Sequence, residues 1–508
     1  MSSIINSLIE KGVLVSPELM NKEVDESILK KIIADYGEDL DTLNEELIEK
    51  YEKAAETETE NPKSPNSSVK IIKSYEKPPK KRSFQDFVST FNNRFNSISA
   101  ILKNRHELQN VSAIARIKTK ENEQVETIGM VLDKAITRNN NIILTLEDKT
   151  GTIVAIIRDD ERNKDLFKIA KDIALDEVIG IVGKKLNTAI FIQKIIFPDI
   201  PPTKELKKQK EEEYMVVLGD IHFGSKVFMK EEFQRFIAWI RGEYGNEEQR
   251  EIAKKVKYIL QTGDVVEGVG IYPSQEEDLE IVDIKQQYEE SAKWIARIPE
   301  DKQIIITVGN HDVGRLAEPQ EKIPKDLGEA LWKLPNLHLV SNPAYVNIGA
   351  TEKFSGFDIL MYHGGSIIYY SDNIPSIRAA GGQKRADLIM QHLLQRRHLA
   401  PTHGSTLIVP DSEKDPLLID IIPDFFLTGH IHRASVKNYR NVTMINGSCW
   451  TETTDDQVKR GLEPQPARLP IINLRTRNVK LLNFMTKASK EKEEEKLKEM
   501  EELKKKEG

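Results

Sequence analysis

Residues 303–312 read QIIITVGNHD, and this stretch decides the fold of the largest part of the chain. A run of branched apolar residues is typical of a strand in a sheet that is covered on both faces. Three polar residues, Asn310, His311 and Asp312, follow directly after Gly309. In α/β folds the functional site forms beyond the carboxyl ends of the strands. The stretch therefore predicts an α/β domain whose sheet delivers polar side chains to one edge.

Four further stretches have the same design, an apolar strand followed by acidic or histidine residues. They are YMVVLGDIHFGS (214–225), VKYILQTGDVVEG (256–268), FDILMYHGGS (357–366) and DFFLTGHIHRA (424–434). With QIIITVGNHD they supply the candidate metal ligands Asp220, His222, Asp264, Asn310, His363, His430 and His432. Because these residues all follow strands, we expect them to converge. Extended backbone alternates its side chains, which predicts that Asp220 and His222 point to the same side.

The types of these side chains indicate the chemistry. Carboxylate, amide and imidazole donors together suit manganese, iron or zinc rather than an all-oxygen calcium site. Seven ligands are too many for one tetrahedral ion, but they fit two ions about 3.5–4 Å apart that share a carboxylate. A single buried histidine is more commonly a hydrogen-bonded core residue than a ligand. Five of the chain's ten histidines lie in this one pattern, however, so we favour a two-metal site.

The motifs Asp-x-His, Gly-Asp-x-x-Glu, Gly-Asn-His-Asp, His-Gly and Gly-His-x-His, in this order, resemble those of the calcineurin-like metallophosphoesterase superfamily. The resemblance implies a β-sandwich flanked by helices, with Asp264 bridging two divalent ions. It implies that one ion is held by Asp220, His222, Asp264 and His432, and the second by Asp264, Asn310, His363 and His430. It also implies two catalytic residues, since His311 would lie over the scissile phosphate and Asp312 would orient it.

One position departs from the superfamily pattern. The second motif usually continues Asp-Arg-Gly or Asn-His/Asp, whereas this chain has Glu267 and Gly268 and no arginine there. A cation that grips phosphate must therefore come from elsewhere or be absent. The most basic stretch of the domain is 376–401, whose candidate DNA-binding residues are Arg378, Lys384, Arg385, Arg396 and Arg397. A helix with a solvated basic face explains these residues equally well.

Three longer sequence stretches resemble one particular family within this superfamily. GDVVEGVGIYP (263–273), YHGGS (362–366) and LLQRRHLAPTHG (393–404) are similar to the small subunit of the archaeal D-family DNA polymerase. That family implies a 3′→5′ exonuclease, usually manganese-dependent, which releases 5′ mononucleotides and proofreads for a separate large catalytic subunit in a heterodimer. Two alternatives stay open. One is a non-catalytic scaffold between the large subunit and a sliding clamp, and the other is a stand-alone metallophosphoesterase.

Shifts in composition divide this multidomain α/β chain into five segments. They predict a small helical domain at 1–55, a flexible linker at 56–82, a helix and an OB-type β-barrel at 83–205, the phosphoesterase domain at 206–486 and a charged tail at 487–508. Pro, Ser, Glu and Lys dominate the linker, and Glu and Lys dominate the tail. A small-molecule enzyme gains little from the additional barrel and linker, which favours the polymerase subunit.

The barrel prediction depends on short strand-like runs at 111–119, 125–137, 141–159, 176–186 and 189–197, with a turn at Asp148–Gly151. Five strands with a helical insert, here at 165–174, are typical of an OB barrel. Upstream, one helical stripe predicts a buried face made of Phe84, Phe87, Val88, Phe91, Phe95, Ile98 and Leu102. Whether the barrel binds single-stranded DNA, binds a protein partner or has only a packing role stays open.

Composition sets the outer limits. The 508 residues carry a formal net charge of −7, which argues against a wholly basic nucleic-acid coat but allows a local basic groove. The single cysteine, Cys449, excludes a disulfide framework and a cysteine-based zinc site. No apolar run reaches the length of about 18 residues that a membrane span needs. These limits favour an intracellular protein, and the resemblance to the polymerase subunit implies a cytoplasmic, nucleoid-associated protein that acts on DNA 3′ ends.

Overall fold

The computed structural model describes residues 13–16, 19, 28–29, 32, 42–45, 47–48, 68–77, 80–460 and 462–507. The chain divides into two compact units, Met1–Asn66 and Ser67–Gly508. In the first unit, strands β1 (Leu14–Val15) and β2 (Thr42–Leu43) pair in parallel. Its buried core contains, among the described residues, Leu19, Ile28, Leu29, Ile32, Leu43 and Ile48. Most of the predicted helical domain and the predicted linker from 56 to 67 lie outside the described residues.

The last part of the predicted flexible linker contains an ordered strand. Strand β3 (Val69–Lys73) pairs antiparallel with the strand Ala344–Ile348 at the edge of a sheet. Val69 is buried in the core beneath that sheet. The apolar residues of β3 give it strand character, which the surrounding Pro, Lys and Glu residues obscure in the sequence. The prediction of a flexible linker is therefore wrong at 69–73.

Helix α1 (Phe84–Lys103) begins after Ser83, which forms a capping box with Asp86. Ile98 and Leu102 in its last turns are buried, as the apolar stripe predicts. Phe84 is 82% exposed, however, so the prediction of a continuous buried stripe is wrong at the first turn.

Arg94 anchors α1 to the larger α/β domain. It is 1% exposed. Its Nε donates to Asp415 Oδ2 at 2.7 Å, and its Nη1 donates to the carbonyl oxygen of Pro401 at 2.5 Å. His398 Nε2 lies 2.8 Å from the same Asp415 oxygen. The helix is thus held by a buried ion pair as well as by its apolar face.

Five strands close into a barrel in the order β4-β5-β6-β8-β7. They are β4 (Gln124–Ile136), β5 (Ile142–Asp148), β6 (Gly151–Ile157), β7 (Val178–Leu186) and β8 (Ala189–Ile196). Alternate residues of β5 are buried and fill the barrel: Ile142, Leu144 and Leu146. The predicted number of strands is therefore observed, while the assignment of the barrel to the OB type stays a prediction.

One predicted barrel strand is a helix. Residues 111–119 contain helix α2 (Ile114–Lys118), in which Ile114 and Ile117, three positions apart, are both buried. The number of strands is unchanged because 141–159 folds into both β5 and β6 at the predicted turn. Helix α3 (Lys164–Lys171) lies where the helical insert is predicted.

The rest of the second unit is a sandwich of two six-stranded sheets, in the orders β12-β11-β10-β9-β18-β19 and β16-β17-β15-β14-β13-β3. Their strands are β9 (Tyr214–Leu218), β10 (Val256–Gln261), β11 (Gln303–Ile306), β12 (Leu337–Leu339), β13 (Ala344–Ile348), β14 (Phe357–Met361), β15 (Phe425–Thr428), β16 (Ser435–Tyr439), β17 (Val442–Asn446), β18 (Arg468–Asn473) and β19 (Val479–Asn483). Val217 of the first sheet and Leu427 of the second share one buried core, so the sheets pack face to face.

Helices cover the outer faces of both sheets. On the first sheet lie α4 (Lys230–Ile240), α5 (Glu247–Lys255), α6 (Ile284–Ile295) and α7 (Lys325–Trp332), and on the second lie α8 (Ile367–Asn373), α9 (Pro375–Ala379) and α10 (Ala386–Arg396). Burial on both faces explains why the strands are continuous apolar runs. The last helices are α11 (Asp455–Lys459) and α12 (Lys487–Glu507), which occupies the predicted charged tail. Of the helices in the described ranges, none combines the length and the apolar character that crossing a bilayer requires.

Arg94→Met is expected to destabilise the second unit by roughly 3–5 kcal/mol, because it leaves the Asp415 carboxylate buried without its ion pair. Urea unfolding followed by tryptophan fluorescence measures the loss, since the buried Trp239 and Trp450 belong to the sandwich core. Arg241→Met is the matched control, because Arg241 pairs with Glu243 on the surface and an exposed pair contributes only about 0–1 kcal/mol. Equal losses for both variants would contradict the anchoring role.

Candidate metal centre

The strands of the sandwich bring the predicted ligands to one end of the molecule. β9, β10 and β11 are parallel neighbours, so the loops after them carry Asp220, Asp264 and Asn310 to the same edge. In the second sheet β14 and β15 are parallel neighbours, and the loops after them carry His363 and His430. Side chains from both sheets share ligand clusters, so the two edges meet at this end.

Asp220, His222 and His432 form the first cluster, with one ligand atom of each within 4.8 Å of the others. His432 Nε2 lies 3.2 Å from Asp220 Oδ2 and 3.2 Å from His222 Nε2. Asp220 is fully buried, and its Oδ1 has no hydrogen-bond partner in the described part of the chain. Because an unsatisfied buried oxygen is costly, this atom fits a site that accepts a cation.

Asp264, His363 and His430 form the second cluster. His363 Nε2 lies at its centre, 3.3 Å from Asp264 Oδ2, 3.2 Å from His430 Nδ1 and 2.9 Å from Asn310 Oδ1. Asp264 Oδ2 also lies 3.8 Å from His222 Nε2, so this carboxylate stands between the two clusters. The structure therefore brings all the predicted ligands to one place, where a third group, His222, Asp264 and His311, overlaps both clusters.

The donor set of both clusters fits divalent metal ions. Each cluster combines imidazole nitrogen with carboxylate oxygen, a mixture that suits manganese, iron or zinc. The ring of His363 is fixed from behind, because its Nδ1 donates to the carbonyl oxygen of Thr262 at 2.9 Å and so leaves Nε2 for the cluster. The shared position of Asp264 is the one that a bridging ligand needs.

The backbone at the site is strained. The residues with positive φ include His222 at 58°, Asp264 at 52°, His430 at 72° and His432 at 53°. Each such residue costs of order 1–3 kcal/mol and persists only where its surroundings hold it. The carbonyl oxygen of Asp264, for example, accepts from the backbone N–H of His222 at 3.1 Å. Asp220 and His222 reach the same cluster, as predicted, but the segment is not extended throughout, because His222 itself is left-handed.

Two glycines allow the chain segments to come this close. A Cβ atom at Gly309 would lie 2.2 Å from Asp264 Oδ1, and one at Gly429 would lie 2.4 Å from Asp220 Oδ1. No side chain fits at such distances, so any other residue would displace a carboxylate of the site. The glycines beside the predicted ligands are therefore required by the packing of the loops.

The buried charges of the site shift one another's pKa values. Burial disfavours charge on Asp264, but the nearby His363 and His311 outweigh it and hold the pKa of Asp264 well below its ordinary value. Burial lowers the pKa of His363, but the Asp264 carboxylate outweighs it and raises that pKa to about 10. Burial and His363 lower the pKa of His430 to about 4. The Asp264 carboxylate and the His363 imidazole therefore interact strongly.

His311 lies against the shared carboxylate, and its backbone N–H donates to Asp264 Oδ1 at 2.9 Å. The resemblance implies that Asp312 orients the His311 ring. The Asp312 carboxylate instead accepts from the backbone N–H groups of Gly309 at 2.9 Å and Val265 at 3.2 Å. Within the described residues it orders these loops and does not contact the imidazole, so its implied role as the direct orienting group is wrong.

Glu267 is the site residue that sequence reasoning missed. Its carbonyl oxygen lies 2.7 Å from His311 Nδ1, and its carboxylate lies 3.1 Å from His222 Nδ1. The carbonyl oxygen of Glu267 therefore positions His311, and its carboxylate lies within ion-pair distance of His222. Burial raises the pKa of Glu267, but His222 outweighs it and the pKa falls below its ordinary value. The available signal was its place three residues after Asp264, in the Gly-Asp-x-x-Glu motif.

Two of the predicted DNA-binding cations are structural. Arg396 and Arg397 are 6% and 4% exposed. Arg396 Nε donates to Glu177 Oε1 at 3.2 Å, which joins the sandwich to the barrel, and Arg397 Nε donates to the carbonyl oxygen of Ile419 at 2.6 Å. The prediction that they track a DNA backbone is wrong, because buried and paired guanidinium groups cannot reach one.

The other three predicted cations are accessible. Arg385 pairs with Asp387 at 2.8 Å on the surface. Arg378 and Lys384 line a cavity next to His430 and His432. The structure thus leaves these two beside the candidate metal centre.

Residues 215–434 match the family model described as calcineurin-like phosphoesterase. This span contains every predicted metal ligand and both sheet edges that carry them. A metallophosphoesterase domain depends on divalent metal, and the clusters described above are the places where it can bind. The expected calcineurin-like domain is therefore confirmed.

Curated relatives match most of the chain, and each is named DNA polymerase II small subunit. That of Methanothermobacter thermautotrophicus is 37% identical over 78% of this chain and 79% of the relative. That of Methanocaldococcus jannaschii is 40% identical over 77% of this chain and 64% of the relative. That of Thermoplasma acidophilum is 33% identical over 96% of this chain and 93% of the relative. The chain therefore belongs to the family of archaeal DNA polymerase II small subunits.

Proposed function

We propose that this chain is the proofreading subunit of a two-subunit archaeal replicative DNA polymerase and hydrolyses DNA from the 3′ end to 5′ mononucleotides. The observation that carries the proposal is the pair of ligand clusters that meet at Asp264. Phosphodiester hydrolysis needs an activated water and a means to offset charge on the phosphoryl oxygens. A scaffold needs neither, so complete ligand sets favour an enzyme.

The proposed ligands divide between two divalent ions. Asp220, His222, Asp264 and His432 hold one ion, and Asp264, Asn310, His363 and His430 hold the other. When bound, the ions, which we propose to be manganese with iron or zinc as alternatives, activate water and offset negative charge on the phosphate.

His311 is the proposed catalytic residue for the departing 3′ oxygen. A carbonyl oxygen only accepts, so the 2.7 Å contact with Glu267 places a proton on His311 Nδ1. His311 Nε2 is therefore free to face the substrate. When the ring is protonated, this nitrogen can donate its proton to the leaving 3′ oxygen. Burial lowers the pKa of His311, which favours release of that proton. Asp312 supports His311 indirectly, through the backbone of the loop.

The partners follow from the names of the relatives, which describe a small subunit. We propose a heterodimer with a separate large subunit that carries polymerase activity, and DNA 3′ ends as the substrate. A sliding clamp is a further proposed partner. The proposed location is the cytoplasm, in association with the nucleoid.

One experiment tests the proposal against its alternatives. The purified chain is assayed in manganese, with and without the large subunit, on DNA with a labelled mismatched 3′ end and on a small chromogenic phosphodiester. Release of labelled mononucleotide is expected. Preference for the small ester would indicate a stand-alone phosphoesterase instead, and inactivity on both substrates would indicate a scaffold.

Asp264→Ala and the isosteric Asp264→Asn are expected to lose bound metal and to retain less than about 1% of nuclease activity, because both clusters lose their shared carboxylate. Metal content after gel filtration, measured by atomic emission, reports the loss directly. Asp165→Asn is the control, since that side chain is 93% exposed on the barrel. Full metal content in both Asp264 variants would contradict the bridging assignment.

His311→Ala is expected to lower kcat by about 10²–10⁴-fold and to leave the metal content unchanged, because the residue serves the leaving group and is not a ligand. Steady-state kinetics and metal analysis are carried out on the same preparation. His106→Ala is the matched control, since His106 is 90% exposed. Unaltered kcat in the His311 variant would remove it from the mechanism.

Glu267→Gln is expected to weaken metal binding by about 10–100-fold, because the variant loses the charge that orients and polarises His222. Titration of metal-free protein with manganese measures the affinity. Glu276→Gln, an exposed acid of the following loop, is the control. If both variants bind manganese like the unmodified chain, Glu267 has no part in positioning the ligands.

A further inference from the structure

A cavity of about 530 Å³ opens beside the candidate metal centre. His430 and His432 form part of its wall, which also carries Glu463 and three cationic side chains, Arg378, Lys384 and Arg433. The cavity therefore joins the proposed metal ligands to the accessible positive charge described above.

The carboxylate of Glu463 lies between two of these cations. Its Oε1 is 2.5 Å from Lys384 Nζ, and its Oε2 is 3.4 Å from Arg433 Nη1, which also donates to the Glu463 carbonyl oxygen at 3.0 Å. Arg378 is exposed and makes no ion pair or side-chain hydrogen bond among the described residues. The other acid of the wall, Asp372, accepts a hydrogen bond from Ser371.

We propose that the Glu463 carboxylate occupies the subsite of a DNA backbone phosphate, and that the incoming strand displaces it. A phosphodiester and a carboxylate carry the same single negative charge and offer the same kind of oxygen acceptor to Lys and Arg. Lys384 and Arg433 then hold the phosphate next to the metal ligands, with Arg378 at the rim. The substrate in this inference rests on the proposed function.

The ion pairs of Glu463 are suited to exchange. The side chains of Lys384, Arg433 and Glu463 are 39%, 26% and 23% exposed, so water screens their attraction. A phosphate that arrives with its neighbours on a strand can therefore compete for the two cations.

The segment that carries Glu463 is tied to the metal centre. Gln465, two residues further on, donates its backbone N–H to the carbonyl oxygen of His432 at 2.8 Å. Gln457, which precedes Glu463 in the chain, also contacts this histidine, since its Nε2 lies 3.5 Å from His432 Nδ1. A DNA strand that displaces the Glu463 side chain therefore acts on a segment that contacts His432, a proposed metal ligand.

This arrangement also explains the departure at Glu267. The sequence has Gly268 where the superfamily pattern has arginine, and the preceding residue, Glu267, lies beside His222. Cations for phosphate are instead available from α9, from the segment before α10 and from the loop after β15, as Arg378, Lys384 and Arg433.

Binding without hydrolysis tests the inference. Fluorescence anisotropy of a 5′-labelled oligothymidylate is measured with the full chain in EDTA, across a series of salt concentrations. Glu463→Gln is expected to tighten binding about 3-fold or more, because the competing charge is gone. Lys384→Met and Arg433→Met are each expected to weaken binding and to reduce the slope of log Kd against log salt by about 0.7. Lys437→Met, which removes a cation paired with Asp387, is the matched control and leaves the slope unchanged.

A combined variant separates competition from a general charge effect. In the Lys384→Met/Arg433→Met background, adding Glu463→Gln is expected to give no gain in DNA affinity, because no phosphate subsite remains. Unchanged or weaker DNA binding by Glu463→Gln, or an equal gain in the combined background, would overturn the inference. Thermal melting checks the fold, and Glu463→Ala replaces the glutamine variant if that variant melts early. Manganese-dependent DNA hydrolysis by the unmodified chain is measured separately. If the unmodified chain does not hydrolyse DNA, the proposed function is overturned, but the inference of a phosphate subsite is not.

Discussion

The charge on the Asp264 carboxylate is the constraint on which the rest of the site depends. It is buried at the edge where the two sheets meet, and histidines reach it from loops of both sheets. A buried anion is stable only when positive charge stands close to it. The histidines around this carboxylate come from loops of both sheets, so the relative placement of the two sheets determines the geometry of the site.

The loops around this carboxylate are held by packing that tolerates little change. Strained backbone at His222 and His430 and the close approach of Gly309 to Asp264 all occur within one small region. Strain of this kind persists only where a rigid surrounding structure holds it. The two sheets and their outer helices provide that rigidity, which fixes the positions of the donor atoms.

Cations serve two different purposes in this chain. Arg94 and Arg396 are buried, and they join α1 and the barrel to the sandwich through paired acids. Lys384 and Arg433 are partly exposed, and they gather around one carboxylate beside the metal centre. Burial therefore decides which basic residues are structural and which remain available to a ligand, while the net charge of −7 indicates neither.

The sequence by itself determined five of the sandwich strands and the candidate ligands that follow them, because an apolar run that ends in a polar residue is a local pattern. It also determined that a five-stranded barrel precedes the sandwich. Only the tertiary structure decided the strand character of β3, the left-handed backbone at His222, the burial of Arg396 and the role of Glu267. Each of these depends on contacts between residues far apart in the chain, and no local pattern records which distant surface a side chain will meet.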